Sequence, residues 1–126
     1  MKYSVDKQEK YTVLSIEEEK LDTLVAPDVK SEFVKINSDG VSNVILNLSG
    51  VKYIDSSGLS AILVANRLCE NANGKLVIAC VTDHVMKLFK ISQLDSVLTL
   101  LPTLEESVDS IFMNEIENDL KGQSDE

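Results

Sequence analysis

The chain has 126 residues, of which 44% are hydrophobic and 26% are charged, an ordinary balance for a folded domain. Its 21 acidic residues outnumber its 12 basic ones, for a formal net charge of -9. This charge argues against nucleic-acid binding and against attachment to an anionic membrane surface, because both need a face rich in Lys and Arg.

The composition also bears on location and domain number. No segment approaches the roughly 18 consecutive apolar residues of a membrane span, and residues 1–10 lack the apolar run of a signal peptide. We therefore expect one cytoplasmic domain over residues 1–120, with residues 121–126 as a flexible acidic tail. The two cysteines, Cys69 and Cys80, fit neither a disulfide framework nor a metal site, so we expect both to be reduced core residues and expect no metal or cofactor.

The first third of the chain predicts a hairpin and one helix. Residues 3–5 and 11–16 alternate apolar and polar side chains on either side of a charged stretch, which is typical of two antiparallel strands. Residues 21–25 predict a short extended piece. Pro27 suits the first turn of a helix that ends at residues 39–40. One stripe of this helix is apolar and contains Val29, Phe33 and Ile36.

Three further strands are expected. Residues 44–48 ("VILNL") and 75–81 ("KLVIACV") are almost continuously apolar, as strands buried on both faces are. Residues 97–101 predict a last strand. Strands of this kind that alternate with helices form parallel sheets through right-handed crossovers.

Three more helices are expected between and after these strands. One begins within residues 55–59 and ends at residues 71–74, and a second follows Thr82 as its N-cap. The last begins at Thr103, whose spacing to Glu106 matches a capping box. Its predicted inward residues are Leu104, Val108, Ile111 and Ile116. The sequence thus predicts an α/β fold: a single domain with a mixed sheet of four to five strands, an N-terminal antiparallel hairpin and about four α-helices.

The stretch "DSSGL", residues 55–59, stands where a strand passes into a helix. Asp55 and Ser56 are both preferred N-cap residues, and Gly58 allows close packing of helix on strand. On a helical wheel the apolar side holds Ala61, Ile62, Ala65, Leu68, Cys69 and Ala72. The opposite side carries Ser56, Ser60, Leu63, Arg67 and Glu70. A mixed exposed side is typical of a protein-binding surface, although single exposed leucines are also common, so a plain helix cap and a binding surface both remain open.

The sequence gives little support to catalysis. A serine nucleophile needs a base within hydrogen-bonding reach, and the only histidine, His84, lies at the start of the following helix. The chain also lacks a Gly-rich phosphate loop and a cluster of zinc ligands. We expect a protein that is not an enzyme.

A receiver domain with a phosphorylated aspartate is a further alternative. Glu17 and Glu18 could form its acid pair and Asp55 its phosphate acceptor. Thr82 could supply the hydroxyl after the next strand. The chain contains no lysine between Lys90 and Lys121, where such a domain requires one, and the leading hairpin is foreign to a receiver.

With these residues in view, the sequence resembles the STAS family of anti-sigma factor antagonists from about residue 11 to residue 112. The resemblance is carried by "VILNLSGVKYIDSSGLSAIL", "NGKLVIACVTDHVMKLFKISQLDSVLTL" and "LPTLEESV". Leu21-Asp22 followed by Ala26-Pro27 is similar to the other signature stretch of the family. Two positions depart from the pattern, because Lys20 and Ser60 stand where glycine is common.

The resemblance implies a switch protein. Family members bind an anti-sigma factor that is also a serine kinase, and this kinase phosphorylates the serine directly after the aspartate of the motif, here Ser56. A metal-dependent phosphatase of the PP2C type reverses the reaction. The expected partner-binding residues are Asp22, Asp55, Ser56, Ser57, Gly58, Ser60, Leu63 and Arg67. Two other functions remain open, an unphosphorylated scaffold subunit of a stressosome-like or transport complex and a nucleotide sensor, and so does the oligomeric state.

Overall fold

The structure is a computed structural model, and it describes the backbone of residues 1–124 and the side chains of residues 1–120. Within this part of the chain the strands are β1 (Tyr3–Lys7), β2 (Thr12–Ile16), β3 (Lys20–Leu21), β4 (Val44–Asn47), β5 (Tyr53–Ile54), β6 (Leu76–Ala79) and β7 (Thr99–Leu101). The α-helices are α1 (Ala26–Ser38), α2 (Ser56–Asn71), α3 (Asp83–Ile91) and α4 (Leu104–Ser124), and a short 3-10 helix spans Leu94–Ser96.

Five strands form one mixed sheet in the order β1-β2-β4-β6-β7. β1 runs antiparallel to β2, with Tyr3 opposite Ile16, and each of the other neighbouring pairs is parallel. β3 and β5 form a separate two-stranded parallel sheet. The predicted α/β class, the N-terminal hairpin and the four helices are confirmed.

The two faces of the large sheet are covered unequally. Alternate residues of a strand point to opposite faces, so each strand contributes to two packing layers. One face packs against α1, α2 and α3 and forms the main core, which includes Leu14, Leu46, Ile78, Phe33, Ile62 and Phe89. The other face packs against α4 and forms a small cluster of buried residues: Ile45, Val77, Ala79 and Ile111.

Two predicted extended segments are shorter in the structure. Residues 22–25 form a turn, because the carboxylate of Asp22 accepts hydrogen bonds from the backbone N–H groups of Leu24 and Val25 at 3.1 and 3.3 Å. The last strand begins at Thr99, since the backbone before it coils into the 3-10 helix and leaves Val97 exposed.

Two expectations about helices are also corrected. Thr82 occupies the N-cap position of α3, but its hydroxyl does not cap the helix and donates instead to the backbone carbonyl of Val51 at 3.1 Å. In α4, Ile111 is fully buried, whereas Leu104 and Ile116 are exposed. The Thr103 cap itself is confirmed, since the N–H of Glu106 donates to the Thr103 hydroxyl at 3.0 Å.

The described part of the chain ends within α4. α4 is helical as far as Ser124, and residues 125–126 lie outside the described residues, so the flexible tail expected over 121–126 stays a prediction. Among the residues that the structure describes, no helix combines the length and apolarity that crossing a membrane requires.

Candidate functional site

A short pair of strands brings the two signature stretches of the sequence together. β3 pairs with β5 in parallel register, with Leu21 opposite Ile54, and the N–H of Asp55 donates to the carbonyl of Leu21 at 3.2 Å. Asp22 and Asp55 each follow one of these strands, so they occupy adjacent positions at the carboxyl ends, where α/β folds place their sites. The sequence did not predict β5, because two residues are too few to show an alternating pattern.

Asp55 is the N-cap of α2. Its backbone is extended, and its Oδ1 atom accepts a hydrogen bond from the N–H of Gly58 at 2.9 Å. This satisfies one of the free N–H groups at the helix start. Ser56 is therefore the first residue of the helix, and its side chain is exposed.

Gly58 allows α2 to approach the small sheet closely. A Cβ atom at this position would clash with the backbone carbonyl oxygen of Leu21 and would lie 2.7 Å from the Cγ1 atom of Ile54. The backbone oxygen cannot move aside without shifting the strand. The glycine is thus required for the packing that positions Ser56, as the sequence predicted.

The turn after β3 is tied to the start of α2 through Thr23. The Thr23 hydroxyl donates to Oδ2 of Asp55 at 3.4 Å and shares a hydrogen bond with the hydroxyl of Ser57 at 3.2 Å. The carboxylate of the half-buried Asp22 instead holds its own turn. Sequence reasoning missed Thr23, because this contact joins positions more than thirty residues apart.

The exposed side of α2 largely matches the helical wheel. Ser56, Ser60 and Arg67 are exposed, whereas Leu63 is half-buried and packs partly against the main core. The inward side differs from the wheel at both margins. Ala72 lies beyond the end of the helix and is exposed. Asn66 is buried, and its amide donates a hydrogen bond to the Glu70 carboxylate at 2.6 Å. The hydrogen bond lets a polar side chain lie at the edge of the core.

Leu24 is a second residue that sequence reasoning missed. It lies at the tip of the turn that Thr23 connects to α2, and 85% of its surface is exposed. A leucine this exposed beside a polar helix start provides apolar contact area of the kind that interfaces bury. We call the surface formed by Leu24, Ser56, Ser60, Leu63 and Arg67 the α2 surface.

A groove lies beside the same turn, and Asp22 and Leu24 both contribute to its lining. It encloses about 610 Å³, and its lining includes Glu17, Glu18, Glu19, Asp22 and Asp28 against the two lysines Lys2 and Lys20. A lining with more carboxylates than ammonium groups repels phosphate. The groove therefore gives no support to the nucleotide-sensor alternative.

Comparison with known proteins agrees with this arrangement. The family model described as the STAS domain matches residues 2–109. An anti-sigma-B factor antagonist of Staphylococcus aureus (strain NCTC 8325 / PS 47) is 27% identical over 78 residues, which cover 62% of this chain and 72% of the relative.

Two solved structures share the fold at lower identity. An anti-sigma factor antagonist from Mycobacterium paratuberculosis is 18% identical with a TM-score of 0.77, and the match covers 87% of this chain and 92% of that one. SpoIIAA, a Bacillus cell fate determinant in its phosphorylated form, is 20% identical with a TM-score of 0.68, and the match covers 87% of this chain and 99% of that one. The family match spans most of the chain and includes the whole α2 surface, and the chain belongs to the STAS domain family.

Proposed function

We propose that the protein is a cytoplasmic anti-sigma factor antagonist that binds a kinase-type anti-sigma factor through the α2 surface, and that phosphorylation of Ser56 ends this binding. The observation that carries the proposal is the position of Ser56: it is exposed, it is the first residue of α2, and it directly follows the N-cap Asp55. In this role the protein is a substrate of a kinase and of a PP2C-type phosphatase rather than an enzyme.

The helix start explains why a phosphate on Ser56 would leave the fold intact. A phosphoserine adds a charge of about -1.5 to -2, and the first turn of a helix favours anions because its N–H groups point outward along the helix dipole. The first turn of α2 contains no acidic residue that would oppose this charge from within the helix. The Ser56 side chain is exposed, so the phosphate displaces no core contact.

The same charge changes the surface that a partner would contact. It lies beside the Asp55 carboxylate, which the cap holds in place through its bond to Gly58. Two negative charges side by side weaken binding through repulsion and desolvation unless the partner supplies a new Arg or Lys contact. Release therefore needs no large conformational change. Among the side chains of residues 1–120, none forms an ion pair with Arg67, which is free to bind an acidic group of the partner.

The phosphorylation site is tested with a kinase-type anti-sigma factor of the source organism and ATP. We expect one phosphate per chain by mass spectrometry, lost in Ser56→Ala. Ser57→Ala and Ser60→Ala are matched controls, because they remove hydroxyls one and four residues away, and both should still be modified. A phosphate that persists in Ser56→Ala would contradict the proposed site.

Binding to the same anti-sigma factor is the second test. Ser56→Asp should weaken it by at least about tenfold, or ~1.4 kcal/mol, while Ser38→Ala, which changes an exposed serine at the end of α1, should change it little. Leu24→Gln should also weaken it, because the exposed leucine loses its apolar contact. If Ser56→Asp binds as tightly as the wild type, the protein uses the surface without a switch, as an unphosphorylated scaffold subunit would.

A further inference from the structure

The outer side of α4 carries apolar side chains that the fold leaves uncovered. Phe112, Met113, Ile116 and Leu120 are 44%, 57%, 52% and 58% exposed. Residues 112, 116 and 120 follow one another at intervals of four, with Met113 beside them, so they lie on one side of the helix. We call these four residues the α4 stripe. It extends about 12 Å along the helix.

The contacts of α4 with the sheet fix the stripe in its outward position. On the inner side of the helix, the amide of Asn43 donates to the Glu115 carboxylate at 2.6 Å, and the ammonium group of Lys75 donates to the Ser110 hydroxyl at 2.8 Å. Phe112 meets the ring of Tyr11 edge-on, with the ring centres 6.2 Å apart. The helix cannot rotate to bury the stripe without breaking these contacts.

The charges around the stripe indicate what covers it. Residues 104–120 contain six acidic residues and no Lys or Arg, and the first basic residue after them is Lys121. Exposed carboxylates lie before the stripe and on its flanks: Glu105, Asp109, Glu117 and Asp119. An apolar stripe with an acidic rim is complementary to a helix with apolar residues on one side and Lys or Arg at its margins.

We propose that the α4 stripe is a second docking surface, and that its occupant is a basic amphipathic helix of another protein. A second copy of this chain would place its own acidic residues against these, so like charges oppose that pairing. An anionic membrane surface is disfavoured for the same reason. Because α4 and α2 cover opposite faces of the sheet, the protein can hold this helix and the partner at the α2 surface at the same time.

The test uses a labelled synthetic peptide of about 18 residues, long enough to form a helix, with Leu at helical spacing and Lys on the flanks. Fluorescence anisotropy should show saturable binding to the wild-type protein. Ile116→Gln combined with Leu120→Gln should weaken binding by at least about tenfold, because half of the apolar stripe is lost. Both residues are more than half exposed, so the fold should persist, as circular dichroism and thermal unfolding would verify. Ile91→Gln is the matched control: it changes an isoleucine of α3 that is 79% exposed and lies outside both surfaces, and it should leave peptide binding unchanged.

Two further peptides separate the proposal from general charge attraction. A peptide of the same composition in scrambled order, and one with Glu in place of Lys, should both bind at least about tenfold more weakly. Equal binding of the scrambled peptide would overturn the proposal, as would failure of the wild type to bind or equal binding by the double variant. Sedimentation tests whether a second copy of this chain occupies the stripe. A wild-type dimer that the double variant abolishes would show that it does, and this result would also overturn the proposal.

Discussion

The helices on the two faces of the central sheet present different kinds of candidate binding surface. On the side of the sheet covered by α1, α2 and α3, the candidate site consists of polar groups at the start of α2. They are the N-cap Asp55, the exposed Ser56, and Thr23, which is hydrogen-bonded to Asp55. On the face covered by α4, the candidate surface is an apolar stripe along the side of one helix. A helix start can be read from a short motif, whereas an outward apolar stripe resembles a core stripe until burial is known. The variants below compare the two faces, from the largest expected effect to the smallest.

The first comparison concerns packing. Ile62 of α2 and Ile111 of α4 are both fully buried, one in the main core and the other in the small cluster. We expect Ile62→Ala to lower the free energy of unfolding by about 4 kcal/mol and Ile111→Ala by about 2–3 kcal/mol. The smaller cost follows because half-buried neighbours of Ile111, such as Tyr11 and Val108, can relax into the space. Urea unfolding measures both values, and an equal or larger loss for Ile111→Ala would show that the α4 face is packed as firmly as the other.

The second comparison concerns the close approach of α2 to β3 and β5. Gly58→Ala should lower the free energy of unfolding by about 2–3 kcal/mol, because the new methyl group meets the backbone oxygen of Leu21 and the gain in helix propensity recovers only about 1 kcal/mol. Gly50→Ala is the matched control, since its Cβ atom would lie 3.6 Å from the nearest atom, an ordinary contact. Similar unfolding curves for the two variants would contradict the inference that α2 must lie this close to β3 and β5.

The contrast between the faces also explains what the sequence could and could not predict. The hairpin, the alternation of strands and helices and the caps at Asp55 and Thr103 depend on local patterns, and these were found. The predicted Thr82 cap was wrong, because its hydroxyl bonds to the distant carbonyl of Val51. The strand β5 and the bond between Thr23 and Asp55 depend on contacts between distant positions, so local patterns carry no signal for them. In α4, apolar residues recur around much of the helix, so periodicity alone could not tell the buried Ile111 from the exposed Ile116.

The third comparison concerns the caps of the two helices. Asp55→Ala removes the bond to the Gly58 N–H, and Thr103→Ala removes the bond to the Glu106 N–H. Each should lower the free energy of unfolding by about 1 kcal/mol, and the two losses should add, because the helices lie on opposite faces. Binding of the anti-sigma factor should weaken only in Asp55→Ala, since that cap also holds Thr23 and positions Ser56. If Thr103→Ala weakens binding equally, the loss of binding follows from the lower stability of the fold and not from the position of Ser56.

The smallest effect concerns Cys69, on the buried side of α2. Burial, together with the nearby charge of Glu70, raises the pKa of this thiol from an ordinary value of 9.0 to about 12. Below the unfolded pKa the thiol keeps its proton in both states, so stability does not depend on its titration. Above it the unfolded chain loses the proton and the folded chain does not, so the free energy of unfolding falls as pH rises, by less than about 1 kcal/mol at about pH 9.5. Unfolding of Cys69→Ala should lack this part of the decline, whereas Cys80→Ala, which changes a half-buried cysteine, should keep it. If the free energy of unfolding of Cys69→Ala falls with pH as steeply as that of the wild type, the thiol is accessible to water. In that case α2 packs less tightly against the main core than its buried residues indicate.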